Sequence, residues 1–115
     1  MATEFDDGQL EAITGGDTEF EREVLQEYLN SAPEDLRKIR AAIAAGDAKA
    51  TGAASHGLKG ASATIGAKGF AAIALELEQA GKKGEIAGAE AILGRLESEY
   101  EELAASLRAR LAKAA

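Results

Sequence analysis

At 115 residues the chain has room for one domain, 1–115, and a modest core. With no cysteine and a single histidine it can build neither a disulfide framework nor a zinc site of Cys and His ligands, and a net charge of -7 repels a nucleic-acid backbone. One proline, 4% aromatics and few β-branched residues favour helices over strands. No apolar run approaches the roughly 20 residues that span a bilayer, and Met1 to Glu4 lacks the basic and apolar regions of a signal peptide. The expectation is an all-α cytoplasmic domain whose partners are proteins, with no nucleic acid, no membrane, no metal and no cofactor.

In chain order, Phe5 to Thr14 is a short amphipathic stretch that begins at Asp6-Asp7 and stops at Gly15-Gly16, which predicts an accessory helix. Thr18-Glu19-Phe20-Glu21 has the form of a capping box and opens a helix carrying Phe20, Val24, Leu25, Tyr28 and Leu29 on one side. Ala32, Leu36, Ile39 and Ile43 continue that stripe beyond Pro33, so a single helix kinked at the proline fits better than two, with Gly46 as its C-cap. Asp47 caps a third helix running to about Ile65, ended by Gly66. A fourth runs from about Lys68 to Ala80 with Phe70, Ile73, Ala74 and Leu77 inward, followed by a Gly81-Lys82-Lys83-Gly84 turn. The last runs from about Glu85 to Leu111, striped by Ile92, Leu93, Leu96, Tyr100, Leu103 and Leu107. Short connections between amphipathic helices predict an antiparallel up-down-up-down four-helix bundle with the short N-terminal helix as a lid.

The third helix carries the only histidine, His56. Residues three and four away on a helix crowd a side chain; for His56 these are Gly52, Ala53, Lys59 and Gly60, three of them with little or no side chain. On a helical wheel Ala50, Ala54, Leu58, Ala61 and Ile65 fall on one face, and Lys49, Gly52, His56, Lys59, Gly60 and Ala63 on the other, which places the imidazole outward. All 20 acids lie outside Ala48 to Leu75, a window holding Lys49, Lys59 and Lys68. A carboxylate beside the imidazole would repel an incoming phosphoryl group and keep the ring protonated, so an acid-free neighbourhood suits a histidine that attacks phosphorus as a neutral nucleophile. Taken alone, each element has a plain reading: a surface histidine, a solvated lysine, a tolerated helix glycine, an alanine-rich helix poor in charge. It is their combination in one register that points to phosphoryl chemistry. Acid pairs such as Asp6-Asp7 and Glu101-Glu102 read as caps and solvated faces, and Gly57-x-x-Gly60 and Gly66-x-x-Gly69 lack the strand-loop-helix setting of phosphate loops.

The run His56-Gly57-Leu58-Lys59-Gly60-Ala61-Ser62-Ala63-Thr64-Ile65-Gly66-Ala67 resembles the signature of histidine phosphotransfer (HPt) domains of two-component phosphorelays. The likeness extends upstream through Phe20 to Tyr28, Ala32-Pro33, Leu36 and Ala45-Gly46-Asp47, and downstream to Leu75-Glu76-Leu77-Glu78. The resemblance implies that His56 is the phospho-accepting residue and that Lys59 holds phosphoryl oxygens. It implies that Gly60, with Ala63, Gly52 and Ala53, forms the surface on which a receiver docks, and that Ser62 and Gly66-Ala67 support helix packing. It also implies a phosphotransfer intermediate without catalytic machinery of its own, because the docked receiver domain brings the aspartate and the Mg²⁺. Response-regulator receivers and a hybrid sensor kinase are the implied partners of a chain expected to be a monomer. Two alternatives stay open from the sequence: a helical adaptor using the same surface without phosphoryl chemistry, and direct phosphorylation from ATP by a kinase catalytic domain.

Overall fold

The computed structural model describes residues 5–114; Met1 to Glu4, read above for a signal peptide, lie outside them. Five helices follow one another: α1 (Asp7–Thr14), α2 (Thr18–Ala44), α3 (Ala48–Thr64), α4 (Lys68–Lys83) and α5 (Ala89–Ala114). α3 packs on α2 and α4, α5 packs on α2 and α4, and α1 lies against α2 and α3. This ring of neighbours, joined by short loops, is the expected four-helix bundle with its accessory helix. At about 1.5 Å per residue, the 27 residues of α2 account for most of the 43 Å long axis.

Local chemistry sets most helix ends. Asp6, Asp17 and Asp47 are N-caps whose carboxylates accept from the backbone N–H of Gln9, Phe20 and Ala50. The capping box expected at Thr18 is therefore replaced by Asp17, one residue earlier, with Thr18 as the first helical residue. An ionised aspartate accepts from the orphan N–H and also complements the helix dipole. Helices α2, α3 and α4 close with the same pair of reversed bonds; after α3, Ala67 N–H donates to Ser62 C=O at 2.9 Å and Gly66 N–H to Ala63 C=O at 3.0 Å. Gly66 has φ +91°, and a Cβ there would stand 2.3 Å from the Asp6 carbonyl oxygen, so both conformation and space require glycine. Through Asp6 N–H donating to Gly66 C=O at 2.7 Å, this turn ties the start of α1 to the end of α3.

Pro33 sits inside the continuous α2, as the unbroken stripe predicts. The core is built from Leu25, Tyr28 and Ile39 of α2, Leu58 of α3, Phe70 and Leu77 of α4, and Leu93, Leu96 and Leu107 of α5, with Leu10 of α1 sealing one end. Three boundaries differ from the sequence reading, one of them the end of α5, at Ala114 rather than Leu111. α4 continues through Gly81 to Lys83, and α5 begins at Ala89 rather than Glu85. Gly81 is buried in the helix interior, where its missing side chain admits α3: a Cβ on it would lie 2.5 Å from the Gly52 nitrogen. A glycine needed for helix contact reads in the sequence as a turn.

Candidate functional site

α3 is capped at Asp47 and anchored by Leu58, which is fully buried. Its buried polar residues, Thr51, Ser55 and Ser62, replace bulkier side chains and let neighbouring helices come close. Thr51 Oγ1 donates back to the Asp47 carbonyl at 2.8 Å, and Ser62 Oγ lies 2.6 Å from Tyr28 Oη, locking α3 to α2. Burial pushes the Tyr28 phenol well above its ordinary range, so it remains a protonated, neutral partner.

With the helix so oriented, His56 stands outward with its side chain 68% exposed. Ala53, Gly57, Gly60 and Ala63 are exposed around it, and a Cβ on Gly60 would touch nothing. Gly52 departs from the expected outward face. It is buried against the backbone of Gly81, 3.6 Å from where its own Cβ would be, because the close α3–α4 crossing turns this part of the wheel inward. Beyond His56, toward the N-terminus of α3, an open groove of about 780 Å³ is lined by Lys49, Gly52, Ala53, Gly81, Lys82 and Lys83 among others.

The expectation that no carboxylate approaches the histidine is overturned. Glu78 of α4 is almost fully buried, and its Oε2 lies 2.9 Å from His56 Nδ1. The Lys59 ammonium, expected to be uncompensated, is 2.6 Å from Glu78 Oε1, and Lys82 Nζ is 3.1 Å from Oε2. The acid gap in the sequence is real, but the acid arrives from the next helix. The two lysines and the imidazole, the Lys59 contact above all, hold the Glu78 carboxyl down to about 2 against the opposing effect of burial.

This arrangement assigns the imidazole nitrogens. An ionised carboxylate only accepts hydrogen bonds, so the Nδ1 facing it must carry the proton. In the neutral ring the lone pair is then on Nε2, which has no hydrogen-bond partner among the described residues. Among the described residues no group of three or more His, Asp or Glu side chains is placed to hold a metal ion.

Glu78 and Lys82 are the site residues that sequence reasoning missed. A signal was present: Glu78 follows Ala67 by eleven residues as His56 precedes it by eleven, so an antiparallel hairpin folded at Gly66-Ala67 brings them level. Glu78 also lies four residues after Ala74 and next to Leu77, on the inward stripe of α4, where an unpaired glutamate is rare.

A bundle presenting one exposed, carboxylate-oriented histidine on a helix of small residues defines a histidine phosphotransfer module. The chain belongs to this family: the Hpt domain model matches residues 23–106. It is 31% identical over 99 residues to the phosphorelay intermediate protein rdeA of Dictyostelium discoideum, a match covering 86% of this chain and 39% of that relative's length. Among solved structures it superposes with a TM-score of 0.91 on histidine-containing phosphotransfer protein B (HptB) of Pseudomonas aeruginosa PAO1, at 27% identity and 98% coverage of both chains. The HPT domain of a sensor hybrid histidine kinase from Shewanella shares the fold at a TM-score of 0.78 and 20% identity, covering 98% of this chain and 97% of that one.

Proposed function

We propose that this chain carries a phosphoryl group on His56 Nε2, accepting it from and passing it to receiver-domain aspartates in a phosphorelay. The observation that carries the reading is the buried, ionised Glu78 on Nδ1, which supports an Nε2 lone pair directed away from the protein. In transfer from a receiver, that lone pair attacks phosphorus in line as the acyl-phosphate P–O bond breaks and the aspartate leaves as carboxylate. The Nδ1 proton stays in place, and the positive charge developing on the ring falls beside Glu78. Lys59 supplies a cation to the phosphoryl oxygens, as a compact charge on a flexible stem. The receiver brings its own aspartate and Mg²⁺.

Gly60, Ala63 and Ala53 suit close docking because they are exposed and small; Gly52 contributes through the α3–α4 contact rather than by meeting the partner. Receivers and a hybrid sensor kinase are the partners this reading requires. A monomer is favoured by the scarcity of apolar surface, since Phe20 and Leu75 are the large hydrophobic side chains exposed among the described residues. No helix among the described residues is long and apolar enough to cross a membrane, and we place the chain in the cytoplasm, where ATP-dependent kinases charge receivers.

Incubation with a panel of phosphorylated receivers tests the reading. The expected result is acid-labile, base-stable label on the wild type and none on His56→Gln. Full labelling of that variant would move phosphoryl acceptance away from His56 and sink the reading, and no labelling of the wild type by any receiver or kinase domain would return the chain to a binding adaptor.

A further inference from the structure

Glu78 is oversupplied with cations. One buried carboxylate meets Lys59 from α3 on one oxygen and both Lys82 from α4 and the imidazole N–H on the other. A single lysine would satisfy its charge, and a second at an exposed position adds little to stability. The two lysines differ in placement. Lys59 is one helical turn from His56, on the same helix, and 28% exposed; Lys82 is one turn from Glu78, on the carboxylate's own helix, and 72% exposed. Phosphorylation adds a charge of about -1.5 to -2 beside this carboxylate. If Lys59 alone neutralised Glu78, moving it to the phosphoryl oxygens would leave the buried carboxylate beside a new anion with only the charge shared by the phosphorylated ring to offset it, a costly state.

Resting on the phosphotransfer reading above, we propose that Lys59 is exchanged: it leaves Glu78 Oε1 for the phosphoryl oxygens, while Lys82 remains on Oε2 as the carboxylate's retained counter-ion. Lys82 is then a positioning residue, acting through Glu78 to keep it ionised and accepting from Nδ1 while Lys59 is away. Without Lys82, Glu78 holds Lys59 and the phosphoryl group competes for it. A neutral amide at position 78 accepts from Nδ1 but does not compete for Lys59, so Lys82 becomes dispensable there.

The test is a four-way comparison of single-turnover transfer from a phosphorylated receiver to the wild type, Lys82→Ala, Glu78→Gln and the double variant, with melting temperatures alongside. Lys82→Ala is expected to slow transfer about tenfold beside Glu78, Lys82→Arg to restore most of the rate, and Lys82→Ala to change the rate less than about twofold within Glu78→Gln. Equal slowing in both backgrounds would mean that Lys82 touches the receiver, and no slowing in either would mean that it is a solvated lysine; each overturns the exchange. A receiver-independent arm uses phosphoramidate, whose P–N bond breaks as the P–Nε2 bond forms and ammonia leaves. On that phosphorylation the Lys59 ammonium resonance should move and the Lys82 resonance should stay coupled to the Glu78 carboxyl. Lys59 remaining on Glu78 in phosphorylated protein refutes the exchange while leaving the phosphotransfer function standing. Failure of both receivers and phosphoramidate to label His56 removes the function and the exchange with it.

Discussion

The two sides of the bundle solve different problems. On the α2–α5 side, the two helices bring long apolar side chains such as Leu25, Ile39, Leu96 and Leu107 to the core, and ion pairs cross between them. Arg40 grips Glu97 through two nitrogens, and Arg110 reaches Glu21 at 3.2 Å while also holding Asp7 of α1 at 2.6 Å. Where α3 faces α4, Gly52 meets Gly81, Ser55 and Thr51 are buried, and a glutamate occupies a core position. The first side stabilises through apolar area. The second gives up area to bring two backbones together, and the proximity is what lets Glu78 of one helix orient His56 of the other. Function is placed where two helix backbones come closest, at Gly52 and Gly81.

The comparison breaks most visibly at His56. Its exposure predicts that His56→Gln abolishes phosphoryl acceptance and leaves the melting temperature within about 2 °C of wild type, the range of a neutral surface change; calorimetry and phosphate labelling on the same samples check both halves. Next in size is the apolar side. Leu25→Ala should cost about 2 to 5 kcal/mol by emptying a fully buried site, measured by urea unfolding, while the folded fraction still transfers at the wild-type rate.

Substitutions in the α3–α4 contact should do both kinds of damage. Gly81→Ala pushes a methyl into the Gly52 backbone and is expected to destabilise by about 1 to 3 kcal/mol. Unlike Leu25→Ala, it should slow transfer by fully folded protein, because it separates Glu78 from His56. Glu78→Ala should slow transfer about tenfold to a hundredfold by removing a charge-assisted hydrogen bond, with the Nδ1–H tautomer population, read by ¹⁵N NMR of the imidazole, falling in step. An unchanged tautomer would remove Glu78 from the orienting role.

Acid titration sharpens the same contrast. The Glu78 carboxyl titrates at about 2 in the folded chain and near 4.5 when unfolded. Between these values the unfolded chain binds the extra proton, so this group's contribution is fully present above about pH 4.5 and is lost as pH falls toward about 2. Glu78→Gln should flatten the dependence of stability on pH in that window. The smallest effect is expected at Arg40→Ala: its pair with Glu97 is solvent-exposed, and removal should cost less than about 1 kcal/mol, less still at high salt.

Much of the molecule is legible in its sequence because it depends on local rules. Caps at Asp6 and Asp47, the reversal at Gly66 and the 3.6-residue stripes of α2 and α5 act within a turn or two of chain, so helix number, order and the outward placement of His56 could be read directly. Gly81 misled because a glycine is permissive both in a turn and at a tight helix crossing, and only the neighbouring helix distinguishes them. The acid-free window around His56 is likewise a property of the sequence and not of the folded environment, which Glu78 enters from α4.

By itself, then, the sequence determined an all-α bundle, its helix boundaries to within a few residues, and one bare histidine among small side chains with a lysine a turn away. The tertiary structure alone decided which carboxylate meets that histidine, that Lys59 and Lys82 share it, and that Gly52 faces inward. The physical reason is distance along the chain: caps and periodicity operate over three or four residues, whereas the 22-residue separation of His56 and Glu78 is closed only when α3 and α4 dock through their glycines.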